Sequence, residues 1–344
     1  MPSHFAHTVF AQHAFHRAGL PWPSQDSGCY AVFGAQGPDI FYHNRRTKPS
    51  GLHYGGLLHR KHYGTFLGNV AAFTAKHGAG SAHRDFLIAA GSHAVLDRFI
   101  HPFINYFAGW HRPGQDPVWR FTHAFLERML DVAVSRRFWH REPWEVNFAA
   151  MFDLGPEMPA LLERAVRFGL RASYSRAGRD SRLALRLANA YADARGFYHF
   201  TNMIGPEDLA ARVRDGSLGI RGLTILHPPR LPRHMDFLNE AHREWLHPCN
   251  ESIRSTASFW DLYDDALTRA GEAATRIAVA WDRYAGGRGS TSTRRLAETV
   301  QQVVSDVNLS DGLLENNTCR REHADPLALP GFLEELRREM FETP

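Results

Sequence analysis

The chain has 344 residues, and the 44% that are hydrophobic are enough to bury the core of one large domain or of two modest ones. Forty basic and 36 acidic residues leave a net charge of +4, spread along the chain, so the composition carries no specific signal for binding nucleic acid. No uncharged stretch approaches the roughly 20 residues that a transmembrane helix needs. The N-terminus lacks the basic segment and apolar run of a secretory signal, so we expect a cytoplasmic protein.

Helical periodicity recurs along the chain, whereas long alternating runs of Val, Ile and Thr are absent. The pattern predicts an all-α fold that begins with a helix at about 5–17. A long loop is predicted at 19–50, and we expect it to be ordered and functional because it carries Asp39 and five aromatic residues. Further helices are predicted at about 51–77, 81–108, 118–137, 156–175, 180–194, 206–214, 234–247, 252–284, 292–306 and 329–341. The connection at 215–233 has no ligand pattern, and 286–290 is predicted to be an exposed loop.

The three cysteines, Cys29, Cys249 and Cys319, are far apart and odd in number. No Cys-x-x-Cys motif occurs, so the pattern indicates neither a thiolate zinc site nor a disulfide framework. A metal site in this chain would therefore be built from imidazole and carboxylate groups.

Side chains of the kinds that bind divalent metals form a ladder in the first third of the chain. The ladder consists of Asp39 in a Gly-Pro-Asp motif, the isolated His59, the run of His93, Asp97 and His101, and the pair of His123 and Glu127. The spacing within the last two groups is four residues, which places their side chains on one face of a helix. Two helices that present such faces to each other can enclose divalent cations, because imidazole and carboxylate groups are the ligands of catalytic zinc.

The histidines are concentrated around this ladder. Fourteen of the 21 lie in residues 1–123, although a single His-x-x-x-Asp pair is more often a surface contact than a metal site. An amphipathic first helix explains His4, His13 and His16, and a solvated helix face explains His234, His242 and His247. We predict that residues 1–150 form a metal-binding helical domain, and that residues 151–344 pack on it or continue it as one domain.

The ladder divides into two candidate shells. Asp39, His59, His93 and Asp97 form one shell, and His101, His123 and Glu127 form a second that leaves a position for water. Two neighbouring zinc ions suit phosphoryl chemistry, because they polarise the phosphoryl oxygens and lower the pKa of a bound water. We expect Asp39 to ligate a metal, to orient the attacking water as a base, or to do both in turn. Iron and manganese accept the same types of ligand.

In this order, the residues resemble the bacterial zinc-dependent phospholipase C family, which is related in site design to the S1/P1-type nucleases. The resemblance rests on Gly-Pro-Asp, an isolated His, His-x-x-x-Asp, His-Pro and His-x-x-x-Glu, and it covers about residues 1–135. It implies a multi-helix bundle of the phospholipase C/P1 nuclease type with additional C-terminal helices. It also implies that the two shells hold two zinc ions, and that metal-activated water cleaves a phospholipid or a related phosphodiester.

Three positions show how far the family pattern extends. The third zinc of the family uses an early histidine, which His7 matches, and the amine of a processed N-terminus, which has no match in this sequence. His101 follows Asp97 by four residues, a slightly shorter spacing than in the well-known members. In choline-preferring members an aromatic residue follows the loop aspartate, whereas Ile40 occupies that position here. The resemblance therefore implies a phosphodiesterase without an inherited preference for choline.

Two other functions fit the same residues. A nuclease or phosphomonoesterase would use the same zinc cluster, and a catalytically inactive protein would keep the metal for stability and act through interactions. An open coordination position beside a reachable cleft would favour an enzyme, whereas a shell closed by protein ligands would favour the structural role.

Overall fold

The computed structural model describes residues 4–109, 114–285, 290–313 and 322–342. The structure is 68% helix and 3% strand, which confirms the all-α prediction. The α-helices of the described residues are α1 (His4–Arg17), α2 (Gln25–Gln36), α3 (Leu52–Arg60), α4 (Tyr63–Lys76), α5 (Ser81–Ala108), α6 (Thr122–Val134), α7 (Phe148–Phe152), α8 (Ala160–Ser173), α9 (Ser175–Gly178), α10 (Leu183–Asn202), α11 (Pro206–Arg214), α12 (Ile220–Leu223), α13 (Phe259–Tyr284), α14 (Ser290–Val304) and α15 (Leu329–Glu342). Two short strands, β1 (Trp245–His247) and β2 (Asn250–Ser255), form an antiparallel hairpin. Among these helices, none is both long and apolar enough to cross a membrane.

The longest helix, α5, lies at the centre of the fold. Most of its residues are buried, and α1, α2 and α13 pack along it. Its first half belongs to one hydrophobic cluster around Phe86 and Leu87, and its second half belongs to another around Phe103 and Ile104. Apolar packing on several sides therefore places the polar stripe that α5 carries inside the protein.

Helices from both of the predicted regions contribute to the same core. Helix α13 packs on α5, and α14 packs on α4. One hydrophobic cluster contains Phe86 from the first region together with Ile277 and Leu296 from the second. The division near residue 150 stays a prediction.

The loop predicted at 19–50 was wrong, because most of this segment is helical. It contains α2 and a 3-10 helix at Gly37–His43. The glycines and short polar residues of α2 lower its intrinsic helix propensity, but tertiary packing outweighs that preference. At Gly34 an added Cβ would lie 2.4 Å from the carbonyl oxygen of Phe86, so the absent side chain is what lets α2 approach α5.

The helix predicted at 234–247 was also wrong. Asn239 and His242 adopt positive φ angles of 55° and 51°, which an α-helix of L-residues does not tolerate, and the segment ends in β1. The turn of the hairpin contains Cys249, which is disulfide-bonded although the cysteine pattern indicated no disulfide framework. Helix α13 begins at Phe259 rather than near 252, because Ser258 and Asp261 form a capping box there.

Two other predicted helices have interruptions. The segment 51–77 divides into α3 and α4 at His62, where φ is 59°. The segment 118–137 consists of a 3-10 turn at Pro117–Arg120, helix α6 and a π-helical turn at Ser135–Trp139. The predicted exposed loop at 286–290 lies outside the described residues up to 289, and residue 290 begins α14.

Replacing Gly34 with alanine tests the close approach of α2 to α5. The new Cβ would meet backbone atoms of Phe86 that cannot rotate away, so we expect Gly34→Ala to lower the free energy of unfolding by about 1–3 kcal/mol. Gly56→Ala is the matched control, because no atom lies within 4 Å of its added Cβ in α3. We expect this control to raise the free energy by about 0.5–1 kcal/mol. Urea unfolding measures both, and equal effects of the two variants would contradict the packing argument.

Candidate metal centre

The Gly-Pro-Asp motif follows directly after α2 and brings Asp39 against α5. The carbonyl oxygen of Ala35 accepts a hydrogen bond from Nδ1 of His93 at 2.8 Å. Gly37 adopts a positive φ of 50°, and a Cβ at this position would lie 2.9 Å from the imidazole ring of His93. Glycine is thus required both for the backbone conformation and for the contact with the ring. The next turn, a 3-10 helix, buries Asp39 beside His93.

The carboxylate of Asp97 is the centre of the polar cluster. Its Oδ2 atom lies 3.1 Å from Nε2 of His93, and 3.6 Å from Nδ1 of His101 one turn further along α5. Its Oδ1 atom lies 3.3 Å from Nε2 of His7 on α1, and Nε2 of His59 on α3 lies 3.5 Å from Oδ2. Three helices therefore direct four imidazoles at one carboxylate.

All eight metal-ligand residues predicted from the sequence lie in this one cluster. Three groups each have one ligand atom per residue within 4.8 Å of the others, namely Asp39 with His59 and His93, His7 with His93 and Asp97, and His101 with His123 and Glu127. Each group could hold a metal ion, and the groups adjoin because Asp97 contacts members of all three. The structure brings the residues together without identifying a metal.

Hydrogen bonds to backbone carbonyls orient three of the imidazoles. Nδ1 of His59 lies 2.8 Å from the carbonyl oxygen of Gly55, and Nδ1 of His93 bonds Ala35 in the same way. Nδ1 of His101 lies 3.0 Å from the carbonyl oxygen of Leu309, a residue that follows α14. A carbonyl oxygen only accepts, so each Nδ1 carries the hydrogen and each Nε2 is left to coordinate. Such partners are typical of metal-ligating histidines, whose ring and tautomer they fix.

Several buried polar atoms of the cluster have no hydrogen bond to any described residue. They are Nε2 of His93, Oδ2 of Asp97, Nδ1 of His7 and Nδ1 of His123. Buried polar atoms normally find a partner, because leaving one unsatisfied costs about 1–3 kcal/mol. Nε2 of His93 and Oδ2 of Asp97 lie 3.1 Å apart in the group that they form with His7, so a cation that both atoms ligate would satisfy both.

The electrostatics of the cluster also suit cations. Burial alone would raise the pKa of Asp97, but the charges of His101 and His93 hold it well below its usual range. Burial likewise acts to raise the pKa of Asp39, yet His93 and His59 lower it. Both carboxylates are therefore ionised, and only 3% of either residue is exposed. Ionised groups removed from water require a compensating positive charge nearby.

Two histidines of the second shell differ in protonation. Burial would lower the pKa of His101, but Asp97 and Glu127 raise it to about 9. Burial lowers the pKa of His123 to about 4, against the opposing charge of Glu127. At neutral pH the metal-free site thus holds a protonated His101 and a neutral His123. A metal ion that binds here displaces the proton from His101.

A cavity of about 500 Å³ opens onto the second shell. Its floor includes Asp39, His59, His101, His123 and Glu127, and its walls include the rings of Tyr42, Phe121, Phe197 and Phe200. The shell of His101, His123 and Glu127 therefore has three protein ligands beside a space that a small molecule can enter. This arrangement is typical of catalytic rather than structural metal sites.

Sequence reasoning missed a second buried polar network, and its assignment of His4 to an ordinary amphipathic helix was wrong. His4 is fully buried, and its Nδ1 lies 2.5 Å from Nη1 of Arg128. Asp131 accepts hydrogen bonds from the same guanidinium at 3.1 Å, from Nε2 of His227 at 3.2 Å and from the backbone amide of Ala6 at 2.8 Å. Because the guanidinium already balances Asp131, we interpret the network as a brace between α1 and α6, not as a metal site.

His43 is a further buried residue beside the cluster that the sequence did not indicate. It lines the cavity, its Nε2 lies 3.2 Å from the hydroxyl of Tyr198, and its ring stacks on Phe197 at 4.2 Å. Burial, together with the charge of Arg128, lowers its pKa to about 3, so the ring is neutral. Its position four residues after Asp39 was the available signal, but a helix was not predicted there.

Comparison of the chain with protein-family models, with curated proteins and with solved structures gave no match. The resemblance to the phospholipase C family thus rests on the motif residues, and the family and its activity remain proposals.

Metal analysis of the purified protein tests the cluster directly. We expect two or three divalent ions per chain by plasma mass spectrometry, because three adjoining ligand groups are present. Asp97→Asn should lower this number, since an amide removes the charge that four histidines face. Asp265→Asn, at an exposed position of α13, is the matched control and should retain the metal. An unchanged stoichiometry in Asp97→Asn would remove Asp97 from the site.

The raised pKa of His101 makes metal affinity depend on pH. Below pH 9 a metal ion must displace the proton from this ring, so the apparent affinity should rise with pH by about tenfold per unit for this proton and level off above pH 9. Competition with a chromophoric chelator at pH 7, 8 and 9 measures the slope. The slope should be smaller in His101→Ala, and a pH-independent affinity in the wild type would contradict the protonation assigned to His101.

Proposed function

We propose that this protein is a metal-dependent phosphodiester hydrolase of the phospholipase C type that uses zinc. The observation that carries the proposal is the position of His101, His123 and Glu127 on the floor of an open cavity, next to a buried group of further ligands. A purely structural site would be closed by protein ligands. The proposed fold type is the phospholipase C/P1 nuclease bundle with additional C-terminal helices.

The ligands divide between adjacent metal positions. Asp39, His59, His93 and Asp97 would hold one zinc, and His101, His123 and Glu127 would hold a second. His7 would add a third position that shares Asp97. The mixture of imidazole and carboxylate suits zinc, and it is also compatible with manganese or iron. When bound, the ions would polarise a phosphoryl oxygen and lower the pKa of water, as in other two-metal hydrolases.

Asp39 would contribute as a ligand and as a positioning group for water. It lines the cavity, and its Oδ1 lies 3.0 Å from Nε2 of His59. A carboxylate whose pKa is lowered stays ionised and can accept a hydrogen bond from water, but it is a weak base and does not hold a proton readily. We therefore infer that Asp39 orients the attacking water more than it acts as its final base. The ring of Tyr42 lies 5.0 Å from that of His59 and forms part of the cavity wall on this side.

The alternatives to a phosphodiesterase differ in the substrates that they would cleave. A phosphomonoesterase would prefer a terminal phosphate, and a nuclease would prefer a polynucleotide. An interaction protein would bind metal and turn over none of these. No feature of the cavity favours one of the alternatives over a phosphodiesterase, so substrate comparison decides between them.

Hydrolysis of bis(p-nitrophenyl) phosphate by the zinc-loaded protein tests the proposal. We expect turnover that a chelator abolishes and added zinc restores. Asp39→Asn should lower kcat/KM by roughly 10²–10⁴-fold, the range for removing a group that handles the attacking water. Asp265→Asn should leave the rate unchanged, because this residue is exposed on α13.

Faster hydrolysis of p-nitrophenyl phosphate would indicate a phosphomonoesterase. Failure of a fully metal-loaded protein to cleave any ester would support the interaction protein.

A further inference from the structure

Four arginines stand at the entrance of the cavity whose floor is the metal cluster. They are Arg45, Arg46, Arg120 and Arg221, and we call them the arginine mouth. All four are exposed, whereas Asp39, His59 and Glu127 on the floor are buried. A molecule that enters the cavity therefore passes the guanidinium groups before it reaches the candidate metal ligands.

Two of these arginines are held by residues that adjoin the metal ligands. Nε of Arg45 donates a hydrogen bond to the carbonyl oxygen of Tyr42 at 3.2 Å, and the ring of Tyr42 contacts that of His59. The guanidinium of Arg221 lies 5.5 Å from the ring centre of Phe121, which comes two residues before His123. Both guanidinium groups thus contact residues that are close in sequence or space to the metal ligands.

The four guanidinium groups of the arginine mouth lack direct carboxylate partners among the described residues. Over the part of the chain that the structure describes, no carboxylate forms an ion pair with any of the four arginines. Outside the metal cluster, the carboxylate that lines the cavity belongs to Asp193. Its Oδ2 instead accepts hydrogen bonds from the side chain of Asn44 at 2.9 Å and from the backbone amides of Arg46 and Thr47 at 2.9 and 3.0 Å.

Two of the arginines, Arg45 and Arg221, also repel each other. Partial burial lowers the pKa of Arg45, and the positive charge of Arg221 lowers it further. Guanidinium groups kept close together without a carboxylate partner are stabilised when an anion binds between them. They bind phosphate or carboxylate in a two-pronged geometry that a surface lysine does not reproduce.

Two of the four aromatic rings in the walls, Phe121 and Phe197, each have one face already covered, which disfavours a cage for a quaternary ammonium group. One face of Phe121 is covered by Arg221, and the ring of Phe197 stacks on His43 at an interplanar angle of 22°. Cation–π recognition requires open aromatic faces around the cation. A choline headgroup would meet guanidinium charges of its own sign at the entrance, and like charges facing each other reject a ligand.

We propose that the arginine mouth is a second anion-binding site, which selects phosphodiesters that carry an additional phosphate or carboxylate beyond the bond that is cleaved. This inference rests on the proposed function, because the scissile phosphodiester must lie at the metal cluster. The volume of about 500 Å³ is sufficient for such a headgroup together with an apolar or aromatic portion against Phe200 and Ile225. Both a phosphorylated lipid headgroup and a phosphorylated nucleotide have this chemistry.

Three p-nitrophenyl phosphodiesters that differ only in charge test the selection. Their second ester groups are ethyl, 2-(trimethylammonio)ethyl and 2-phosphoethyl, so the leaving group is the same throughout. We expect kcat/KM for the phosphorylated ester to exceed that for the choline ester by at least about tenfold, the effect of gaining a hydrogen bond to a charged group. The preference should decrease as the salt concentration rises. Equal rates for the three esters would overturn the anion site and leave the hydrolase proposal intact.

The double variant Arg45→Gln/Arg221→Gln assigns the preference to the arginine mouth. We expect the ratio of kcat/KM between the phosphorylated and choline esters to fall at least about fivefold, because two charged donors are lost. Arg294→Gln is the matched control, since its side chain is 72% exposed on α14 and does not line the cavity. Far-ultraviolet circular dichroism and metal content verify that the variants fold. An unchanged ratio in a folded, metal-loaded double variant would overturn the proposal.

A binding measurement separates failure of this inference from failure of the proposed function. If none of the esters is cleaved, the hydrolase proposal fails, but titration calorimetry with the metal-loaded protein still tests the anion site. Ethane-1,2-diyl bisphosphate should bind at least about tenfold more tightly than ethyl phosphate, and the double variant should lose this difference. Equal affinities of the two phosphates would overturn the inference.

Two natural types of substrate distinguish the source of the second anion. One arm compares a phosphoinositide in detergent micelles with its form lacking the headgroup phosphate, and the other compares a dinucleotide with and without a 5′-phosphate. Faster cleavage of the phosphorylated member in either arm supports the anion site and identifies a lipid or a nucleotide source. Faster cleavage of the unphosphorylated member in both arms would contradict it.

Discussion

The burial of three carboxylates beside five imidazoles is the constraint on which the rest of the structure depends. Asp39, Asp97 and Glu127 have almost no exposure to solvent, and ionised carboxylates in such surroundings strongly destabilise a fold unless positive charge lies beside them. Without metal, a proton on His101 supplies part of that charge, since Asp97 and Glu127 raise the pKa of its ring to about 9. Divalent cations would supply more. The same arrangement that is costly without metal is therefore suited to holding metal.

Backbone positions, more than side-chain contacts, give the cluster its geometry. The carbonyl groups that orient His59, His93 and His101 come from α3, from the end of α2 and from the segment after α14. Glycines at the end of α2 allow this backbone to touch α5, where a side chain would collide. The brace formed by Arg128 and Asp131 fixes the start of α1 against α6, and α1 carries His7. Candidate ligands on several helices are thus supported by rigid elements, the condition for a precise metal site.

The cavity has two electrostatic layers. Buried carboxylates at its floor attract cations, whereas the exposed arginines at its mouth attract anions. Under the proposed function, both layers would favour a phosphorylated molecule, because bound metal ions would reverse the sign of the floor. The net charge of +4 gives no indication of this division, because it sums the charges of all residues, whereas the fold separates acidic from basic groups. Arg45 and Arg46 are adjacent in the sequence and follow Asp39, where they could hold a phosphate, but nothing in the sequence places Arg120 and Arg221 beside them.

The sequence by itself determined what depends on short spacing. The i,i+4 pattern of His93, Asp97 and His101 defines one face of a helix whatever the fold, and the periodicity at 81–108 predicted α5 to the residue. Only the tertiary structure decided what depends on distant segments. The sequence did not predict α2, because its glycines lower the helix propensity. Packing on α5, and not local propensity, stabilises this helix. The contact of His4 with Arg128 spans 124 positions of the chain, and that of His101 with Leu309 spans 208. Local periodicity carries no information about such partners, because they meet only when the helices pack together.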